Sequence, residues 1–245
     1  GFTKNITAKG VPLEKIVEIP NWVDVNFIKP IAASHNYFRS EYQLEGKFVV
    51  LYSGNIALTQ GLETVIEAAT YLKDSPEIAI VIVGAAKALG KLERHCSQHG
   101  VDNVKLIPFQ PRQKLPEMLS AADVGLVVQR KNVLDFNMPS KIQVLLASGR
   151  AIIASVPSAG TAARAIEKSG GGIVVAPENP EMLATAIKNL HTNQQLVINL
   201  GKKGRQYAEA HYSFESALDK YEKLFAAALD PRSTIESSSK IELRP

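Results

Sequence analysis

One lysine stands where electrostatics argue against it. Asn137-Met138-Pro139-Ser140-Lys141 runs into Ile142-Gln143-Val144-Leu145-Leu146-Ala147-Ser148-Gly149-Arg150. Ile142, Leu145, Leu146 and Gly149 recur at i, i+3, i+4 and i+7, the buried face of a short helix. Pro139 falls in its first turn, where a missing amide proton costs nothing, and Gly149 ends it. Unpaired amides and the macrodipole make a first turn positive, so Asp or Glu is usual there. This one carries Lys141 and no acid. Amides and a lysine at one helix mouth attract phosphate. The alternative is a solvated lysine that tolerates a cost of about a few tenths of a kcal/mol.

Other candidates lie in loops. Gly54 follows an apolar run and either allows a tight turn or lets a phosphate approach bare backbone. Arg130 and Lys131 occupy the stretch from Gln129 to Asn137, longer than the usual connection in such folds. Each of the two is read as solvent-exposed when taken alone. Phe109 either stacks on a base or packs under its loop, and Trp22 reads as a packing residue. His95 and His99 share a helical face at i, i+4, but no HExxH surrounds them and no metal site is expected.

The elements that position these residues follow from hydrophobic pattern. Apolar runs at 47–53, 78–83, 104–107, 124–128, 151–155 and 173–176 read as strands buried on both faces. Helices are expected at about 61–73, 85–99, 112–122, 161–168, 180–191, 194–210 and 214–228, with the Lys141 helix between the fourth and fifth strands. A small strand is expected at Ile16–Ile19, a helical turn around Tyr37–Glu41, and a polar, disordered tail from Pro231. Six alternations of strand and helix imply an α/β, doubly wound, Rossmann-like parallel sheet of six strands. Such sheets bind ligands beyond the carboxyl ends of their strands. The loops after Ser53, Val83, Ile107 and Val128 all lie there.

Bulk properties narrow the ligand. Of 245 residues, 45% are hydrophobic and 21% charged, and the net charge is +4. This mild basicity suits an anionic small ligand or weak attraction to acidic headgroups. It is too scattered for nucleic acid, and aromatics do not interleave with the basic residues. Cys96 is the only cysteine, so neither a disulfide framework nor a cysteine zinc site is available. No apolar run approaches a membrane span, and the first residues do not resemble a signal peptide. No Walker loop is present. The dinucleotide fingerprint fails too, because Gly54 stands alone until Gly61 and the second strand ends in Gly84 rather than an acid.

Taken in order, several stretches resemble family 4 glycosyltransferases of the GT-B fold, specifically the C-terminal, donor-binding half. They are Ile19-Pro20-Asn21-Trp22-Val23-Asp24, Leu51-Tyr52-Ser53-Gly54-Asn55-Ile56, Gln60-Gly61-Leu62-Glu63-Thr64-Val65-Ile66-Glu67-Ala68-Ala69, Ala121-Ala122-Asp123-Val124-Gly125-Leu126-Val127-Val128-Gln129, Met138-Pro139-Ser140-Lys141 and Leu146-Ala147-Ser148-Gly149-Arg150. Within the family the WcaI-like subgroup, of the colanic acid type, is the one resembled.

The resemblance implies a domain plan: 1–45 as a remnant of an N-terminal domain with its linker, 46–230 as the donor-binding domain, and 231–245 as the tail. It implies a nucleotide-diphosphate-sugar donor, retention at the anomeric carbon, and no cofactor or obligatory metal. It also implies exopolysaccharide synthesis, with a missing N-terminal GT-B domain as partner and a lipid-linked glycan acceptor at the membrane surface. The expected location is cytoplasmic, at the inner face of the membrane. The fragment alone is expected to be inactive.

Two departures rewrite the usual donor clamp. Where many relatives carry Arg and Lys for the diphosphate, this chain has Asn55 and Gln60. Where many carry two Glu, it has Phe136 and Val144. The WcaI-like subgroup shares these changes. Gly54, Asn55, Ser140 and Lys141 are therefore the expected diphosphate site. Gly84, Phe109, Gln110, Arg130, Asn137 and Pro139 are the expected base or sugar contacts, and no catalytic residue is assigned. A rival reading is a degenerate, non-catalytic donor domain serving as a scaffold in a polysaccharide assembly complex.

Overall fold

A computed structural model describes residues 2–31, 36–133 and 138–229. Its centre is one all-parallel sheet of β1 (Phe48–Ser53), β2 (Ile78–Gly84), β3 (Val104–Pro108), β4 (Val124–Val128), β5 (Ala151–Ser155) and β6 (Gly172–Val175), in spatial order β3-β2-β1-β4-β5-β6. Register is continuous, with Ser53 opposite Val83 and Val128 opposite Ser155. β1, β2, β4 and β5 are almost wholly buried, as expected for strands covered on both faces.

The helices are α1 (Phe2–Thr7), α2 (Tyr37–Glu41), α3 (Glu63–Thr70), α4 (Ala86–His99), α5 (Leu115–Ser120), α6 (Lys141–Ala147), α7 (Thr161–Ser169), α8 (Pro180–Thr192), α9 (Gln194–His211) and α10 (Phe214–Leu229). Alternate residues of β1 feed two cores. Val49 and Leu51 join Leu119, Ile142, Leu145 and Ile166 on one face. Val50 and Tyr52 join Val65, Leu92 and Ile187 on the other. Helix ends follow local chemistry. Gly100 and Gly170 close α4 and α7 in the left-handed conformation, and the Asn179 and Asn193 side chains cap α8 and α9.

Three expectations are corrected. Ile16–Ile19 forms no strand; it follows a 3-10 turn at Leu13–Lys15, and Val17 is 55% exposed. Among the described residues it pairs with no strand of the sheet, and none of its four side chains is buried. The helix expected over 112–122 is split. Pro116 has no amide for the Arg112 carbonyl, which accepts from Leu115 in a 3-10 turn before α5 begins. The third concerns the Lys141 helix, which starts at Lys141 itself. Pro139 lies ahead of it, with its carbonyl accepting from the Ile142 amide at 3.1 Å. The expected tail lies outside the described residues.

Described residues ahead of β1 pack onto the sheet. Val23, Val25, Ile28, Phe38 and Leu44 are buried in the first core. Arg205 donates to the carbonyls of Val25, Ile28 and Ala147 at 2.7–3.0 Å. Arg39 pairs with Asp123 at 2.7 Å.

Candidate functional site

Strand order reverses between β1 and β4: β1 leads outward to β2, and β4 leads the other way to β5. A reversal leaves a crevice beyond the carboxyl ends of the two strands. A cleft of about 330 Å³ opens there, lined by Ser53, Gly54, Asn55, Gln60, Leu115, Leu119, Pro139, Ser140, Lys141, Val144 and Leu145. Small residues let its walls approach. A Cβ on Gly125 of β4 would fall 2.4 Å from Leu145 Cδ2, so glycine admits α6 close against the strand and carries Lys141 to the cleft. Gly149, with φ +68°, then turns the chain from α6 into β5.

Lys141 crosses the crevice to β1. Its Nζ lies 3.4 Å from the centroid of the Tyr52 ring and 3.2 Å from the point a Cβ on Gly54 would occupy. Gly54 has φ +140°, and its bare backbone leaves that approach open. The Tyr52 hydroxyl donates to the Asn55 carbonyl at 2.6 Å, fixing the loop above the ring. Gln60 Oε1 accepts from the Ala57 amide at 2.9 Å, closing the loop upon itself.

The ammonium is buried and has no hydrogen-bond partner among the described residues. Among the described residues, none that lines the cleft is a carboxylate. Burial therefore lowers the lysine pKa from 10.5 to about 7. The quadrupole of the tyrosine ring supplies a weak attraction from below. Burial likewise raises the pKa of Tyr52, so its hydroxyl stays neutral. A desolvated cation without a counter-ion is an expensive arrangement, and an anion entering the cleft would relieve it.

The expected diphosphate residues Gly54, Asn55, Ser140 and Lys141 are thus brought together, and Pro139 joins them. Gly84, Phe109, Gln110 and Arg130 are not among the residues lining the cleft, although Gly84 adjoins Gly54. The open face of Gly84 is filled by Ile56, whose Cδ1 would lie 2.3 Å from an added Cβ. Phe109 is 52% exposed at the end of β3, and Gln110 donates to the Tyr42 hydroxyl and the Pro108 carbonyl. Arg130 is engaged by protein: it pairs with Glu63 at 3.0 Å and Glu178 at 3.1 Å and donates to the Leu58 carbonyl. Asn137, like Phe136, lies outside the described residues. Trp22 packs edge-on against Phe214.

Sequence reasoning missed Tyr52. It read as one more apolar strand residue, although its hydroxyl at the penultimate position of β1 was a usable signal. The apolar floor of Leu115, Leu119, Val144 and Leu145 was also unread as cleft, because its residues are indistinguishable from core.

Comparison with known proteins fits this fold. The family model described as Glycosyl transferases group 1 matches residues 35–207. A protein of Escherichia coli (strain K12) named for colanic acid biosynthesis, the glycosyl transferase WcaI, is 33% identical over 216 residues, covering 87% of this chain and 52% of that protein. The chain spans about half the length of the curated relatives it matches. Anabaena Alr3699/HepE, solved in complex with UDP, superposes with a TM-score of 0.80 at 17% identity, covering 92% of this chain and 61% of that one. The C-terminal domain of the group 1 family protein LpcC from Francisella tularensis superposes with a TM-score of 0.64 at 22% identity. That match covers 78% of this chain and 99% of that domain.

Proposed function

The chain belongs to the group 1 glycosyl transferases, and from that premise we propose that it is the donor-binding half of a GT-B enzyme of family 4. The enzyme transfers a sugar from a nucleoside diphosphate, with retention at the anomeric carbon, in exopolysaccharide synthesis. The observation that carries this reading is the buried ammonium of Lys141, without a hydrogen-bond partner among the described residues, against the bare backbone of Gly54.

The diphosphate lies between Gly54-Asn55 and Ser140-Lys141. Its negative charge draws a proton onto Lys141, whose lowered pKa of about 7 leaves it only about half protonated near pH 7 and largely neutral above. As the bond to the sugar breaks, charge builds on the departing β-phosphate, and a fixed cation beside it lowers that barrier. Lysine thereby supplies the positive charge in place of a metal. Asn55 and Gln60 cannot supply it, being neutral and, for Gln60, tied to its own loop. The UDP bound by a structural neighbour and the match to an isolated C-terminal domain support this role.

The acceptor-binding half is a second Rossmann-like domain. Phe214, Leu218, Tyr221, Phe225 and Leu229 form an exposed apolar stripe on α10, where only Ala217 is buried. That stripe is suited to docking such a domain. The acceptor is a lipid-linked glycan at the inner membrane surface; no helix among the described residues is long and apolar enough to cross a membrane.

One observation favours the scaffold reading: the cleft wall near the lysine is apolar, with Val144 where many relatives place an acid. Saturation-transfer NMR against a panel of nucleotide sugars separates the two. Transfer to one donor's nucleotide and sugar protons, abolished in Lys141→Ala, supports the transferase. A folded sample that binds none of the panel supports the scaffold.

A further inference from the structure

A second constellation lies away from the cleft, on the helices that cover the other face of the sheet. Glu67 of α3 and His95 and His99 of α4 each present a ligand atom, and these atoms lie within 4.8 Å of one another. None of the three lines the cleft. The histidines stand one helical turn apart, with ring centroids separated by 4.3 Å.

Hydrogen bonding orients them as ligands. His99 Nδ1 lies 3.0 Å from the His95 carbonyl. Only an Nδ1–H can make that bond, so Nε2 keeps its lone pair. A backbone carbonyl behind the ring is the support that metal-bound histidines usually have. His95 Nε2 is buried and has no hydrogen-bond partner among the described residues. The nearest acid, Glu67 Oε1, is 3.8 Å away, too far for a hydrogen bond. A buried nitrogen aimed at a carboxylate across that gap calls for something between them.

From this geometry we infer that Glu67, His95 and His99 form a binding site for a zinc-like transition-metal ion, clamping α3 to α4. Two imidazole nitrogens and one carboxylate oxygen suit zinc, with water in the fourth position. Bonds of about 2.0–2.1 Å in a tetrahedron put ligand atoms roughly 3.3 Å apart. The three side chains therefore close by up to about 1.5 Å, a movement their partial exposure permits. Magnesium and calcium, which prefer all-oxygen shells, are excluded by the same ligand set. The ion bridges two helices away from the cleft and takes no part in sugar transfer, so this site stands or falls separately from the donor cleft.

The test is calorimetric titration of zinc chloride into the untagged chain after removal of metal by a chelator, with thermal melting in parallel. One equivalent should bind, persist in a large excess of magnesium, and raise the melting temperature. His99→Gln and Glu67→Gln should each weaken binding at least about tenfold and abolish the thermal shift. Circular dichroism checks that both variants are folded. Cys96→Ser should bind as the parent does, since Cys96 is on the same helix but not in the cluster. Absence of saturable binding, or binding undiminished in both variants, overturns the site.

Discussion

Replacing Lys141 by Met tests whether the cleft really holds an uncompensated amine. Methionine keeps an unbranched, apolar chain of nearly the same length but removes the titrating group. In the folded chain the lysine pKa falls to about 7 from 10.5. Between those values the unfolded chain binds a proton that the folded chain does not. Stability therefore rises with pH across this window and falls as pH drops from 10.5 towards 7, with little change beyond either end. Each pH unit inside the window is worth about 1.4 kcal/mol. From pH 7.5 to 9.5 the parent should gain about 2.5 kcal/mol relative to Lys141→Met, and the variant should be the more stable of the two throughout. Taking the difference between the proteins removes every other titrating group. Urea unfolding at pH 7.5, 8.5 and 9.5 measures it directly. A difference that stays flat across these values would refute the reasoning, because the amine would then be solvated or paired.

Gly54→Ala should lower nucleotide affinity by at least about tenfold and destabilise the fold by about 1–3 kcal/mol. Its φ of +140° disfavours a side chain and its Cβ would crowd the ammonium; calorimetry and urea unfolding check both. Tyr52→Phe removes the bond to the Asn55 carbonyl but keeps the ring, so a loss of about 1 kcal/mol is expected with donor affinity reduced only a few-fold. Arg130→Lys should not restore what Arg130→Ala loses, since one ammonium cannot serve Glu63, Glu178 and the Leu58 carbonyl together. Proteolysis of the Ala57–Gln60 loop should be faster in both Arg130 variants.

Much of this was legible because long apolar runs leave little choice. β4 and β5 have the bounds their sequences imply, and the α2 turn lies at Tyr37–Glu41 as read. Alternation and handedness imply a parallel sheet covered on both faces, but its strand order came only from the structure. The failures are places where a local pattern needs a partner. Ile16–Ile19 is apolar enough for a strand but pairs with none among the described residues, and Pro116 displaces the start of α5 by withholding one amide. At the site, Lys141 and Gly54 were legible because charge and conformational freedom are properties of residue type. Tyr52 and the apolar floor were not, since burial in a core and burial under a ligand select the same side chains. Glu67 joins His95 and His99 only through helix packing across 28 positions of chain, beyond any spacing rule.

The most direct measurement of the central claim is proton uptake on nucleoside diphosphate binding. At pH 8 a lysine of pKa about 7 is about nine-tenths neutral. Binding should recharge it, so calorimetry in two buffers of different ionisation enthalpy should give an uptake of about 0.9 proton per site for the parent chain. Lys141→Met should show no uptake and a large loss of affinity. Binding without proton exchange, or with affinity within about twofold in the variant, would contradict a diphosphate gripped by Lys141, since one lost charge-assisted hydrogen bond alone exceeds that difference.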